Sequence, residues 1–365
     1  MVVTPPNLTR RIVDATIVRQ PVRLRRPIRG QRGAVTSRAV RLLHLTSDDG
    51  CEGIGEGSAV DWLTATPFPA VASMFRVLVE RIRRDGLPEA DLLEWSMEAG
   101  APAPVRAAVQ TALLDLEARR RGCSLAALLG ATDPCLPQAV SALIGEDEPA
   151  AMAREAARLA RRGIACFKVK VGRPDLADDL RHVEAVRKAI GDDAELRLDA
   201  NAAWDMDDAR RALAVLEPAR ASFLEEPLRD PLDTPLLGCS STIALDESIR
   251  DADDLERAIT RGGFGVVVLK LERVGGPLAA LAMAERATRA GIAVVFTDSI
   301  ESVVGRTAVV NVAAAAYESS GAEPRAVGLG GLFLLDDGDE AEGEIVVHGH
   351  GLGIDIEAVV RGARS

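Results

Sequence analysis

Lysine is nearly missing from this chain. Of its 44 basic residues only four are lysines, Lys168, Lys170, Lys188 and Lys270, and all the rest are arginines. Aromatic residues make up 3%, so a core has to be built from alanine, leucine and valine. The five cysteines are scattered, with no CxxC pair. That argues against a disulfide framework or a zinc site and reads as reduced, apolar side chains. No run reaches the ~18 apolar residues of a membrane span. The opening "MVVTPPNLTRRIVDATIV" lacks the basic stretch and long apolar stretch of a secretory signal. A cytoplasmic location is therefore the expectation. Positive charge is not in excess either: the formal net charge is −11, which argues against nucleic-acid and membrane-surface partners. No G-x-S-x-G elbow supports a serine hydrolase. The four histidines, His44, His182, His348 and His350, lie outside any candidate site, and "HGH" reads as a surface turn. The glycine clusters "GIGEGS" (53–58) and "GLGG" (328–331) lack the strand–turn–helix setting of a nucleotide loop and read as turns.

What is present points to two domains. A chain of 365 residues, 47% hydrophobic and 27% charged, is an ordinary globular mix too long for one typical domain. Residues 1–134 read as an α+β domain. Strand-like alternation and a "SDDG" hairpin turn come first; the helical patterns "PAVASMFRVLVERIRRDG" and "APVRAAVQTALLDLEARRRG" follow, each closed by glycine. Across 135–335, eight short apolar runs recur, with Ala/Arg/Glu-rich helical stretches between most of them. Their spacing of roughly 20–35 residues predicts a parallel (β/α)-type barrel. An open doubly wound sheet is the alternative, weakened by the missing glycine-rich phosphate loop. The tail, 336–365, is expected to return to the first domain.

The C-terminal ends of the barrel runs carry the chemistry in such folds. Here they hold Lys168 and Lys170, Asp199, Glu225, Asp246, Lys270 and the segment "TDSIES" (297–302). Strand side chains alternate faces, so Lys168 and Lys170 point one way and Phe167, Val169 and Val171 the other. Three carboxylates on neighbouring strands, with no His or Cys nearby, suit Mg²⁺ better than zinc. Solvated strand-end acids are the plain alternative for any one of them. Arginine stays protonated, whereas a desolvated lysine can be tuned to act as a base. In a chain that otherwise uses arginine, three of four lysines at the barrel mouth imply positions that need a titrating amine. Charges placed on an edge strand for solubility are the plain reading of "KVK" alone. Lys188 reads as a helix-surface residue. Lysines facing a divalent metal suggest removal of a proton from the carbon next to a carboxylate.

"FKVKVG", "LRLDANAAW", "FLEEP", "IALDES" and "VVVLK" together resemble the muconate-lactonizing subgroup of the enolase superfamily. The resemblance covers nearly the whole chain. It implies a (β/α)7β modified TIM barrel with an α+β capping domain built from the N-terminal part and the C-terminal tail. By motif it implies Asp199, Glu225 and Asp246 as ligands of Mg²⁺ (or Mn²⁺), Lys170 and Lys270 as acid–base lysines with Lys168 beside them, and Asn201 as an aid to the metal-side contacts. "TDSIESVVG" resembles the seventh-strand segment of o-succinylbenzoate synthases, and "AVGLGGLF" their eighth strand. This implies Ser299, Glu301 and Gly328 as substrate contacts. Asp298 departs from the small hydroxyl residue usual there. Thr36, Ser37 and Arg38 are expected in a loop of the first domain over the barrel mouth, with Arg38 reaching substrate. Dipeptide epimerases of the subgroup carry Asp-x-Asp where this chain has Gly328-Leu329-Gly330. The implied partner is a small carboxylate, and the implied reaction is dehydration of a cyclohexadiene carboxylate to 2-succinylbenzoate in menaquinone biosynthesis. An N-acylamino acid racemase, a dipeptide epimerase, a cycloisomerase and a non-catalytic binding barrel are the competing readings.

Overall fold

The computed structural model describes residues 8–30, 33–58, 67–98, 100–133, 138–145, 147–239, 242–320, 323–330, 344–346 and 349–362. The expected boundaries at 134/135 and 335/336, Cys135 and His348 lie outside them. The chain opens with two long antiparallel strands, β1 (Arg11–Gly30) and β2 (Gly33–Ser47). The turn at 47–50 leads into β3 (Glu52–Glu56), and β4 (Leu87–Pro88) completes a sheet of order β3-β2-β1-β4. Helices Phe68–Asp85, Glu89–Met97 and Ala103–Arg121 cover it. The first begins at prolines and the third has one in its first turn; Gly86 and Gly122 close these two, Gly122 in the left-handed conformation. "GIGE" is a strand, not the expected turn. Its glycines let β3 lie directly on helix Ala103–Arg121: a Cβ on Gly53 would stand 2.2 Å from the Ala112 carbonyl oxygen, and one on Gly55 2.0 Å from that of Ala108. This is the N-terminal capping domain.

Eight parallel strands follow in one nearly closed barrel. They are β5 (Gln138–Ile144), β6 (Cys166–Lys170), β7 (Glu195–Asp199), β8 (Phe223–Glu225), β9 (Ile243–Leu245), β10 (Val266–Leu269), β11 (Ala293–Phe296) and β12 (Val327–Gly328). β12 pairs with β5, and the single bridge Thr297–Gly328 joins it to the end of β11. Asp175, Asp205 and Asp251 cap three of the crossover helices by accepting from backbone amides. The β8–β9 crossover is a 3₁₀ segment, Pro231–Leu237, with Pro235 inside it, whose ring would clash with the Pro231 carbonyl in an α-helix. Phe167 and Val169 face the helices, fully buried, while Phe223, Ala244, Val266, Val268 and Val295 pack together in a separate cluster inside the barrel. Below the mouth, Arg197 lies 5.2 Å from the Phe223 ring centre and is paired with Glu195.

The tail divides its contacts. β13 (Glu344–Ile345) pairs antiparallel with β5, so the strand-like run joins the barrel and not the first domain. Residues 351–354 do reach the capping domain. Leu352 N donates to Asp115 Oδ1 (2.7 Å), and Arg119 Nη2 to the Ile354 carbonyl (2.9 Å). Asp115 also accepts from Ile54 N at 3.0 Å, so one buried carboxylate ties tail, helix and β3 together. Among the described residues no helix is long and apolar enough to cross a membrane.

Candidate active site

Parallel register decides which side chains meet at the mouth. Lys170 lies opposite Asp199, and Asp199 opposite Glu225. Asp246 follows β9 by one residue, and Lys270 follows β10 by one. The carboxylate strands β7, β8 and β9 therefore run side by side, with a lysine strand on each flank. Asp199 and Glu225 are 2% exposed and Asp246 is 0% exposed, which excludes the reading of these acids as solvated strand ends.

Contacts confirm one cluster. Lys168 Nζ is 2.7 Å from Glu225 Oε1 and 2.8 Å from Asp199 Oδ2. Lys170 Nζ donates to Asn201 Oδ1 and is 3.7 Å from Asp199 Oδ2. Lys270 and Arg273 both pair with Asp246. Burial disfavours the Lys168 ammonium, yet Asp199, Glu225 and Asp246 outweigh it and hold its pKa above the ordinary range. Lys168 is thus a fixed cation in this arrangement. Burial also raises Asp199 and Asp246, but cations more than reverse it: Lys168 and Lys170 for Asp199, and Arg273, Lys270 and Lys168 for Asp246. Glu225 differs. Burial and the charges of Asp199 and Asp246 leave it well above its usual range despite Lys168 and Lys270.

Among the described residues no three His, Cys, Asp or Glu side chains converge as they would on a bound ion. Lys168, Lys270 and Arg273 take up the carboxylate oxygens instead. The donor set still fits a hard divalent cation. It is all oxygen, it is buried, and Glu225, which burial and its acidic neighbours keep from ionising, is the member a divalent charge would favour as the carboxylate.

The other half of the mouth is built differently. Ser299 and Glu301 lie in the bend after β11; Ser299 Oγ and Glu301 Oε1 are buried without a partner. Gly328 accepts from Asp298 N (2.8 Å) and from Thr297 Oγ1 (2.8 Å). Thr36, Ser37 and Arg38 are not in a loop. They belong to β2, where Ser37 and Arg38 pair with Arg23 and Val22 of β1. Arg38 is 6% exposed and its guanidinium is taken by protein: Nη1 donates to the Ser299 carbonyl (2.5 Å), Nη2 to the Ser58 carbonyl (3.0 Å), and Nη2 pairs with Glu272.

Several polar residues here escape a reading by motif alone. Glu226 accepts from Asp246 N (2.7 Å) and Ser248 Oγ (3.0 Å), and burial with the charge of Glu247 pushes its pKa up to about 8. Glu247 accepts from Asn201 Nδ2 at 2.7 Å. Arg273 donates to the Asp246 carbonyl at 2.5 Å. The doubled acids in "LEEP" and "LDES" are the available signal for the two glutamates; nothing in the pattern singles out Arg273. Lys188 is exposed on helix Leu176–Ile190, as expected. Four of the five non-glycine residues with left-handed φ among the described residues lie just past barrel strands: Asn201, Ala202, Glu226 and Ile300. Such backbone persists where the surroundings enforce it, commonly at functional sites.

Residues 151–359 match the family described as Enolase C-terminal domain-like, and residues 12–130 the mandelate racemase / muconate lactonizing enzyme N-terminal domain. The chain belongs to the enolase superfamily. It is 28% identical to muconate cycloisomerase 1 of Pseudomonas putida over 81% of each chain. It is 40% identical to the o-succinylbenzoate synthase of Thermobifida fusca, over 51% of this chain and 58% of that one. The solved dipeptide epimerase of Enterococcus faecalis V583, complexed with Mg and the dipeptide L-Leu-L-Tyr, superposes with a TM-score of 0.84 at 26% identity, covering 94% of this chain and 99% of that one.

Proposed function

We propose that this superfamily member is an o-succinylbenzoate synthase, a carbon–oxygen lyase acting on a hydroxylated cyclohexadiene carboxylate with a succinyl arm. The observation that carries the substrate choice is the 40% identity with the Thermobifida synthase over 51% of this chain; the muconate cycloisomerase matches at 28% over 81%. Gly328-Leu329-Gly330 adds to it, since no acid stands there to hold a substrate amine.

Asp199, Glu225 and Asp246 would hold Mg²⁺ or Mn²⁺, as the epimerase structure with Mg suggests by analogy. That cation supplies electrostatic stabilisation of negative charge building on the substrate carboxylate. Lys170, as the free amine, takes the α-proton. The C–H electron pair becomes a ring double bond and the adjacent C–O bond breaks. The leaving hydroxyl collects the proton from the Lys170 ammonium and departs as water, leaving 2-succinylbenzoate. Lys168 stays charged. Lys270, on the opposite flank, remains a cation over the ring. Ser299, Glu301 and Gly328 form the substrate-contact side, and Asn201 orients Lys170.

One observation favours a second reading. Lys170 and Lys270 flank the three carboxylate strands from opposite sides, as two bases of an N-acylamino acid racemase would. The deciding experiment runs both substrates. An N-acylamino acid in D₂O is followed for α-deuterium, and the cyclohexadiene carboxylate is followed by absorbance. A synthase shows dehydration with kcat/KM far above any racemisation, and Lys270→Arg loses less dehydration activity than Lys170→Arg. Efficient racemisation with negligible dehydration, abolished equally by both substitutions, overturns the proposal.

A further inference from the structure

Ile300 is the clearest backbone anomaly at the mouth. Its φ is +64°, in the left-handed region that a β-branched residue avoids. It is half-buried between Ser299 and Glu301, whose orphaned polar atoms it separates. Nothing in "TDSIES" favours this bend locally: glycine or asparagine would be the residue of choice. The bend therefore has to be held from outside.

The capping domain grips it on both sides. On the N-terminal side, Arg38 of β2 takes the Ser299 carbonyl at 2.5 Å. On the C-terminal side, Glu56 at the end of β3 accepts from Ser302 N (3.1 Å), Ser302 Oγ (2.5 Å) and Gly305 N (3.1 Å). Glu56 thereby caps the barrel helix Val303–Ser320 from another domain. Both grips are fully buried: Arg38 is 6%, Glu56 6% and Ser302 3% exposed. Arg38 also pairs with Glu272, two residues after Lys270, and Glu272 accepts from Ser58 N as well. The same guanidinium thus spans the short helix after β10 (Leu271–Val274) and the bend after β11.

We infer that Arg38 and Glu56 are positioning residues. By docking on the barrel, the capping domain forces Ile300 into the left-handed bend that presents Ser299 and Glu301. The consequence for specificity rests on the proposed role of those two residues; the mechanical claim does not. It makes Arg38 a cross-domain clamp and removes it from the substrate contacts.

The test couples a grip to the strain. Glu56→Ala and Ile300→Gly are made singly and together. Glycine accepts the left-handed bend unaided, so it should rescue loss of the grip. With isoleucine at 300, Glu56→Ala should release the Asp298 and Glu301 amides, which donate to the Gly328 carbonyl and the Asp298 carboxylate and not to Glu56, to hydrogen exchange by at least about tenfold, with a similar loss in kcat/KM for the cyclohexadiene carboxylate. With glycine at 300 both losses should fall below about threefold. Equal losses in the two backgrounds mean that Glu56 only fastens two domains together, and the inference fails. If Glu56→Ala does not fold, Glu56→Gln and Arg38→Lys are read by the same criterion. Hydrogen exchange needs no turnover. A protein that fails to dehydrate the substrate therefore refutes the proposed function while the exchange coupling still decides this inference.

Discussion

The two halves of the barrel mouth are made by different physics. From β6 to β10, the lysines and carboxylates follow from strand alternation and parallel register, and each faces a partner one or two strands away. Between β11 and β12, strand pairing is down to one bridge, and side chains from another domain hold the bend that follows β11. The first half keeps residues that chemistry needs on rigid elements. The second puts the residues proposed to contact substrate on a bend that a change in the cap can reshape, with the lysine and carboxylate strands untouched. That division suits a superfamily whose members named above are a cycloisomerase, an epimerase and a synthase on one scaffold.

Breaking the first half should have the largest effect. Glu225→Gln removes the central carboxylate and should lower kcat/KM by at least about 10⁴-fold, some 5.5 kcal/mol in the barrier. Its thermal unfolding should stay cooperative with no loss in Tm, since ionising Glu225 is already disfavoured by burial and its acidic neighbours. Full activity in excess chelator would end the metal assignment. Lys170→Arg keeps the charge and loses the removable proton, so a drop of about 10²–10³-fold is expected. An Arg variant with more than about a tenth of the parental kcat would show that Lys170 is not the base.

The smallest effect sharpens the second half, and it appears in stability. Burial pushes Asp298 from 3.8 up to about 6, against the attraction of Arg306, Arg38 and Lys270. The folded state therefore favours the protonated carboxyl. Its contribution is full below about pH 4 and is lost as pH rises through about 6. Two pK units correspond to about 3 kcal/mol. Asp298→Asn should match the parent near pH 4 and exceed its stability by up to about 3 kcal/mol at pH 7. Denaturant titrations at the two pH values measure this. An unchanged gap would mean that Asp298 is charged and accommodated.

Much of the first half was legible in the chain because its determinants are short-range. Period-two alternation put Lys168 and Lys170 on one face, and three of the four lysines fell at the barrel mouth. Three acids at equivalent strand ends marked the oxygen cluster. The tertiary structure then separated the lysines. Lys168 is locked between Asp199 and Glu225, and Lys170 contacts Asn201, because the neighbours differ one strand away. The placement of Arg38 in a loop failed for a related reason. Its segment reads as a loop, but pairing with β1 makes it strand, and burial against Glu272 decides what it touches. "GIGE" gave no sign that its glycines exist to admit a helix backbone.

The sequence by itself determined the barrel rhythm, the side-chain alternation and the residue types that any proton transfer here would use. These depend on contacts within a few residues, or on a repeat that the chain displays openly. Only the tertiary structure decided which lysine is held between two carboxylates, which acid resists ionisation, and how the bend at Ile300 is held. Each of those depends on charges and hydrogen-bond partners brought together from segments as much as 261 residues apart, as in the contact from Arg38 to Ser299. Local propensity carries no record of a partner at that distance, and at Ile300 it points the other way.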